Sequence, residues 1–139
     1  MKKILIFTAL LILGAGIYGL YEFNRGHVSN ADAISDVSIS ANELLTAFQT
    51  GEDEANAKYN DKIVEVSGEV RQVTQTDGKT IVRLDAGDSM DGVTCELDDQ
   101  VKHKRTEFAT GDAVTFKCTC SGFLMDVVLV RCVESDVRQ

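Results

Sequence analysis

No cysteine precedes Cys95, so the N-terminal segment lacks the residue on which a bacterial lipoprotein carries its lipid. Charge is missing from the same stretch. After Met1-Lys2-Lys3, the run from Ile4 to Tyr21 is uncharged and mostly apolar, broken only by Thr8 and the glycines Gly14, Gly16 and Gly19. Such a run is a membrane-targeting segment and not a core helix. At about 1.5 Å per residue it spans roughly 27 Å, slightly less than a hydrocarbon core of about 30 Å and longer than the apolar part of a typical cleaved signal. An uncleaved anchor over residues 4–21 is expected in the inner membrane. The two lysines then stay cytoplasmic and Glu22 onward is extracytoplasmic, on the periplasmic side.

Basic residues are scarce. Lys and Arg number 14 against 22 Asp and Glu, for a net charge of -8. Lys2 and Lys3 are the only charges before Glu22, so the part beyond the anchor stands near -10. Nucleic-acid affinity comes largely from counterions released by clustered Lys and Arg, which makes nucleic acid an unfavoured partner.

Catalytic groups are scarcer still. The only histidines are His27, in a polar stretch, and His103, beside three cations, and G-x-S-x-G and phosphate-loop patterns are absent. No catalytic residue and no cofactor are expected. Nor is a metal, because the cysteines form one C-x-C with single cysteines elsewhere instead of paired C-x-x-C knuckles. Asp85, Asp88 and Asp91 recur every third residue, but without the D-x-[DN]-x-[DN]-G order of a calcium loop.

What is present reads as a polar tether over residues 22–39 and one small domain over 40–139. Ser40 with Glu43 makes an S-x-x-E capping box ahead of Leu44, Leu45 and Phe48, which share a helical face. Gly51 interrupts that helix. Thr50 is placed to cap a second one, Glu52 to Tyr59, whose acidic first turn suits the positive end of the helix dipole. From Val64 the period becomes twofold, with Val64, Val66, Gly68 and Val70 facing one way. Asp77-Gly78 signals a hairpin into Val82, Leu84 and Ala86. Val93, Cys95 and Leu97 form a third strand face, and Val114, Phe116, Cys118 and Cys120 a fourth. Between those two, Asp98 or Asp99 is expected to cap a short helix through about Phe108. A fifth strand, Leu124 to Val133, is apolar on both faces and needs cover on both sides, for which the N-terminal helices are available.

Five strands with a helix between the third and fourth predict a mainly β chain, a five-stranded OB-fold Greek-key barrel with N-terminal helices packed on it; a small β-sandwich is the alternative. Several short motifs in order carry a family likeness. They are Leu44 and Phe48, Glu54-Ala55 and Tyr59, Lys62 with Val66-Ser67-Gly68-Glu69-Val70, and Val93-Thr94-Cys95. Gly111-Asp112, Cys120-Ser121-Gly122, and Asp126-Val127-Val128-Leu129 running to Cys132 complete them. Over about Ala41 to Val133 the chain resembles the small secreted or anchored bacterial proteins known as tRNA_anti-like or OB-fold lipoproteins. The resemblance implies the fold and no particular activity. The missing lipid-attachment cysteine departs from the lipoprotein members, and the helical anchor would replace the lipid.

Four cysteines in an extracytoplasmic domain suggest a disulfide, although inward-facing thiols can equally be small core residues. Strands three and five are lateral neighbours in an OB-fold, so Cys95 with Cys132 is the expected pair, leaving Cys118 and Cys120 as thiols. The dense basic cluster Lys102, Lys104 and Arg105, around His103, is the candidate contact for an anion or acidic partner. The function expected is a non-catalytic binding module for a protein, peptide or glycan of the cell envelope. Single-stranded nucleic-acid binding through the OB face is the alternative, weakened because Arg83, Asp85, Thr94 and Glu96 on the outward face include no aromatic. A structural spacer in a membrane complex is a third possibility.

Overall fold

The computed structural model describes residues 14, 16–18, 30, 33–87, 90–103, 105 and 107–135. The expected anchor therefore lies almost entirely outside the described residues, among which no helix is long and apolar enough to cross a membrane.

The elements are β1 (Val37–Ser40), α1 (Ala41–Thr50), α2 (Glu52–Tyr59), β2 (Ile63–Thr76), β3 (Lys79–Leu84), β4 (Val93–Leu97), β5 (Ala113–Phe123) and β6 (Val127–Glu134). The sheet order is β1-β2-β3-β4-β6-β5, and a further pairing of β2 with β5 closes the last five strands into a barrel. Closure depends on the length of β2. Its first half, Ile63 to Glu69, pairs with β5, and its second half, from Val70, pairs with β3 beyond a bulge between Val70 and Gln72. The β4–β6 contact is parallel, while the other contacts within the barrel are antiparallel. That is the Greek-key arrangement expected from the element order.

The twofold pattern places its apolar residues as read. Val64, Val66, Val70, Val82, Leu84, Ala86, Val93, Cys95, Leu97, Val114, Phe116, Cys118 and Cys120 are all buried in one core. Asp77 and Gly78, both at positive φ (52° and 79°), make the tight β2–β3 turn that Asp-Gly favours. Ser40 caps α1 with both halves of the capping box in place, and Ala41, Leu44, Leu45 and Phe48 enter the core. Phe48 then packs against Tyr59 (6.1 Å between ring centroids) and stacks with Phe123 (5.9 Å), which fixes α1 and α2 against the end of β5.

Four readings need correction. The sheet begins at Val37, inside the segment read as tether, because β1 pairs in parallel with β2. Upstream of it Asn30 is buried and donates to Thr119 Oγ1 (3.1 Å) and to the Arg131 carbonyl (2.9 Å). No helix forms among the described residues between Asp98 and Phe108. The Asp98 carboxylate accepts from the Gln100 amide and its carbonyl from Val101 and His103, a local turn that takes the place of a helix cap. The residue capping α2 is Gly51, with no side-chain bond, and not Thr50. Finally, β6 starts at Val127, so Leu124 and Met125 are exposed; its outer valines Val128 and Val130 are half-buried while α1 closes on the barrel interior.

Candidate functional site

The sulfur chemistry differs from expectation. The disulfide joins Cys118 to Cys132 (Cα–Cα 4.2 Å), and Cys95 and Cys120 are free and buried. The cause is a bulge in β6. Between Thr119↔Val130 and Lys117↔Val133, β5 advances two residues and β6 three. The extra residue is Arg131, in the left-handed region at φ 52°. The same offset appears against β4, where Cys95 is opposite Leu129 and Cys132 is opposite Leu97. The bulge thus returns Cys132 to the buried face of β6, opposite Leu97 on β4, where its sulfur meets that of Cys118 on β5.

The two described members of the basic cluster differ in their settings. Lys102 is exposed and Lys104 lies outside the described residues. Arg105 is drawn inward: its guanidinium donates to Asp112 (3.2 Å) and Glu134 (2.7 Å) and lies 4.5 Å from the Phe108 ring centroid. Arg105 ties the β4–β5 connection to the barrel, where it is not presented to an anion.

On the outer face of β3 and β4, the organising residue is one that the pattern of strands did not single out. Asp126, at the β5–β6 turn, accepts from Arg83 Nη2 (2.8 Å), the Gly92 amide (2.8 Å) and Thr94 Oγ1 (3.1 Å). Arg83 Nη2 also donates to the Met90 carbonyl (2.8 Å). Its Nε is buried without a partner among the described residues, and a side-chain carbon at Gly92 would come within 3.0 Å of it. Lys79 pairs with Glu96, which raises the lysine pKa through a charge-assisted hydrogen bond. Both cations of this face are therefore committed to carboxylates. Of the acidic loop, Asp85 accepts from the Gly87 amide and Asp91 from Gln49, while Asp88 lies outside the described residues.

A groove of about 1160 Å³ runs along α1 and α2. Ala47 and Ala55 contribute apolar surface, and Glu43, Glu52, Asp53 and Glu54 surround it with negative charge. Among the described residues, Lys58 is the one basic residue lining it, and it lies 5.0 Å from the Tyr59 ring centroid. The carboxylate of Glu43 is held below its ordinary pKa, first by the Ser40 hydroxyl and then by the Ser40 amide. Sequence reading assigned the acidic triplet to the helix dipole alone. What it missed is that the break at Gly51 folds α2 beside α1, so that Glu43 of α1 borders the same groove as the triplet.

The barrel closure and the order of its motifs agree with a match over residues 1–134 to one family. The chain belongs to the tRNA_anti-like family. Among solved structures, this tRNA_anti-like chain is similar to a putative nucleic acid-binding lipoprotein from Klebsiella pneumoniae, with 15% identity and a TM-score of 0.55 over 71% of this chain and 92% of that one. It is also similar to the telomere capping protein Ten1 from Saccharomyces pombe, at 16% identity and a TM-score of 0.42, over 76% and 86% of the two chains. At these identities the likeness to the Klebsiella protein concerns the fold. No curated protein matches the sequence.

Proposed function

We propose that this tRNA_anti-like domain is a non-catalytic binding module of the cell envelope, held at the inner membrane by residues 4–21 and facing the periplasm. Its ligand is a cationic segment of an envelope protein or peptide, received in the groove between α1 and α2. The observation that carries the reading is the groove itself, large enough for several side chains and bordered by Glu43, Glu52, Asp53 and Glu54. Opposite charge steers such a partner in, and the small apolar residues between the carboxylates accept the aliphatic stems of lysine or arginine. The Cys118–Cys132 bridge fits an oxidising compartment.

A second reading comes from the Klebsiella relative, whose name assigns it nucleic-acid binding. Here the outer face of β3 and β4 offers Arg83 and Lys79 already paired with Asp126 and Glu96, and the chain is strongly acidic. That arrangement disfavours a phosphate backbone.

Fluorescence anisotropy on the full-length protein in detergent separates the two. A labelled lysine-rich peptide is expected to saturate in the micromolar range, with affinity falling as salt rises. Replacing Glu52→Gln, Asp53→Asn and Glu54→Gln should weaken it about tenfold. Sub-micromolar binding of labelled single-stranded DNA or RNA, unchanged by those three substitutions, would replace the peptide reading with the nucleic-acid one.

A further inference from the structure

The barrel interior contains a constellation that the spacing of cysteines along the chain does not reveal. Cys95 on β4, Cys118 on β5 and Cys132 on β6 are each fully buried, and their sulfur atoms all lie within 4.8 Å of one another. Two of the three form the disulfide, and the third is a free thiol directly beside it. Cys120, two residues from Cys118 on the same strand, is free but does not belong to the cluster.

We propose that the reduced form of this cluster is a binding site for a soft monovalent metal ion of the Cu(I) type, and that the Cys118–Cys132 bridge closes the site by removing two of its three ligands.

Three arguments support the assignment. Ion-to-thiolate distances of about 2.3 Å put the sulfurs of a trigonal site roughly 4 Å apart, so once reduction lets the Cys118 and Cys132 sulfurs part, Cys95 is already within reach of both. The donor set is sulfur alone, which selects Cu(I) over harder divalent ions. Zinc in a structural site takes four ligands, and among the described residues the cluster offers three.

The chemistry balances without an oxidant. A dithiol reductant transfers two electrons and two protons to the bridge, leaving as its own cyclic disulfide while Cys118 and Cys132 become thiols. The incoming Cu(I) then forms Cu–S bonds and releases to solvent the proton of each thiol it ligates. Burial pushes the Cys95 thiol above its ordinary pKa, so it does not ionise unaided, and the metal must displace its proton.

The test uses full-length protein, reduced anaerobically with a dithiol, freed of the reductant and titrated with Cu(I) against a chromophoric Cu(I) chelator. One equivalent should bind, with the ultraviolet absorption of thiolate-to-copper charge transfer. The disulfide form should bind none under the same competition. Cys95→Ser should lower the affinity of the reduced protein by more than about tenfold, since loss of even an outer-layer partner of a metal ligand has an effect of that order. Cys120→Ser should leave it unchanged. If reduction merely unfolds the chain, any cysteine serves as ligand and the two variants weaken binding equally. That result would overturn the proposal, as would failure of the reduced wild type to bind or full retention of binding by Cys95→Ser.

Discussion

Strand β6 is held at its start by a carboxylate and near its end by sulfur. At the first end Asp126 gathers a β3 side chain, the β3–β4 loop and a β4 hydroxyl through three hydrogen bonds, in a partly exposed setting. At the second, a covalent bond to Cys118 sits in the sealed core next to the Cys95 thiol. The two ties hold neighbouring strands to the same element, yet they respond to different variables. The polar tie depends on which groups can donate to one carboxylate. The sulfur tie depends on redox state and acts largely through the unfolded chain, whose freedom it restricts.

The largest expected effect comes from breaking the sulfur tie. Cys118→Ser removes a bridge that closes a 14-residue separation. For a loop of that size the chain-entropy model gives about 3 kcal/mol. Denaturant unfolding of the oxidised protein should show that loss, and reduction of the wild type should reproduce most of it. If reduction leaves the unfolding midpoint where it was, the bridge does not stabilise the domain.

Asp126→Asn should be the next in size. The amide keeps the shape but gives up the charge that faces Arg83, and a charge-assisted hydrogen bond contributes about 1.5–3 kcal/mol. Loss of about 2 kcal/mol in the same unfolding experiment is expected. Combining it with Cys118→Ser in a double-mutant cycle tests the comparison directly. Additive losses mean that the two ends of β6 act independently, whereas an interaction beyond about 0.5 kcal/mol means that the strand transmits strain between them.

The contrast between the ends also explains what could be read from the sequence. Inward positions such as Val64, Val66, Phe116 and Cys120 follow from alternation alone, because one face of each strand has to be buried. The capping box at Ser40 and the Asp77-Gly78 turn are legible because each depends on neighbours in the chain. The disulfide is not. It depends on Arg131 adopting a left-handed conformation, which no local residue preference announces, and the extra residue in β6 decides whether Cys132 faces the core or the outside. The role of Asp126, a residue of the family likeness, is illegible for a related reason: its partners are 32 to 43 residues away, and only the barrel brings them together. The ion pair of Arg105 with Glu134 is hidden in the same way, since Glu134 lies 29 residues away on β6.

Gly92→Ala should sharpen the account of the polar end. The added carbon would lie 3.0 Å from Arg83 Nε and 3.1 Å from the Leu84 carbonyl oxygen, and the latter, being backbone, cannot swing aside. Overpacking of this kind destabilises by about 1–3 kcal/mol. The expected loss is near the lower end, because the arginine can shift, and it should shrink in an Arg83→Ala background where the side chain beyond Cβ is absent. An unchanged loss there would place the clash wholly on the Leu84 carbonyl.

The smallest effect is expected where neither tie reaches, at the start of α1. Ser40 accepts from the Glu43 amide (3.2 Å) and donates to the Glu43 carboxylate (2.8 Å), which in turn accepts from the Ser40 amide (3.2 Å). Replacing such a cap by alanine lowers stability by about 1 kcal/mol. The effect should depend on pH, with a sign fixed by the direction of the Glu43 shift. Its carboxyl is held below the ordinary value in the folded protein, so the stabilisation is present above the unfolded-state pKa and is lost as pH falls through the folded-state one. Urea unfolding of wild type and Ser40→Ala at neutral and acidic pH should therefore converge toward the acid side. The Cys118→Ser loss should persist there, since a disulfide does not titrate. A Ser40→Ala difference that grows on acidification would mean that the hydroxyl, and not its partnership with an ionised Glu43, carries the cap.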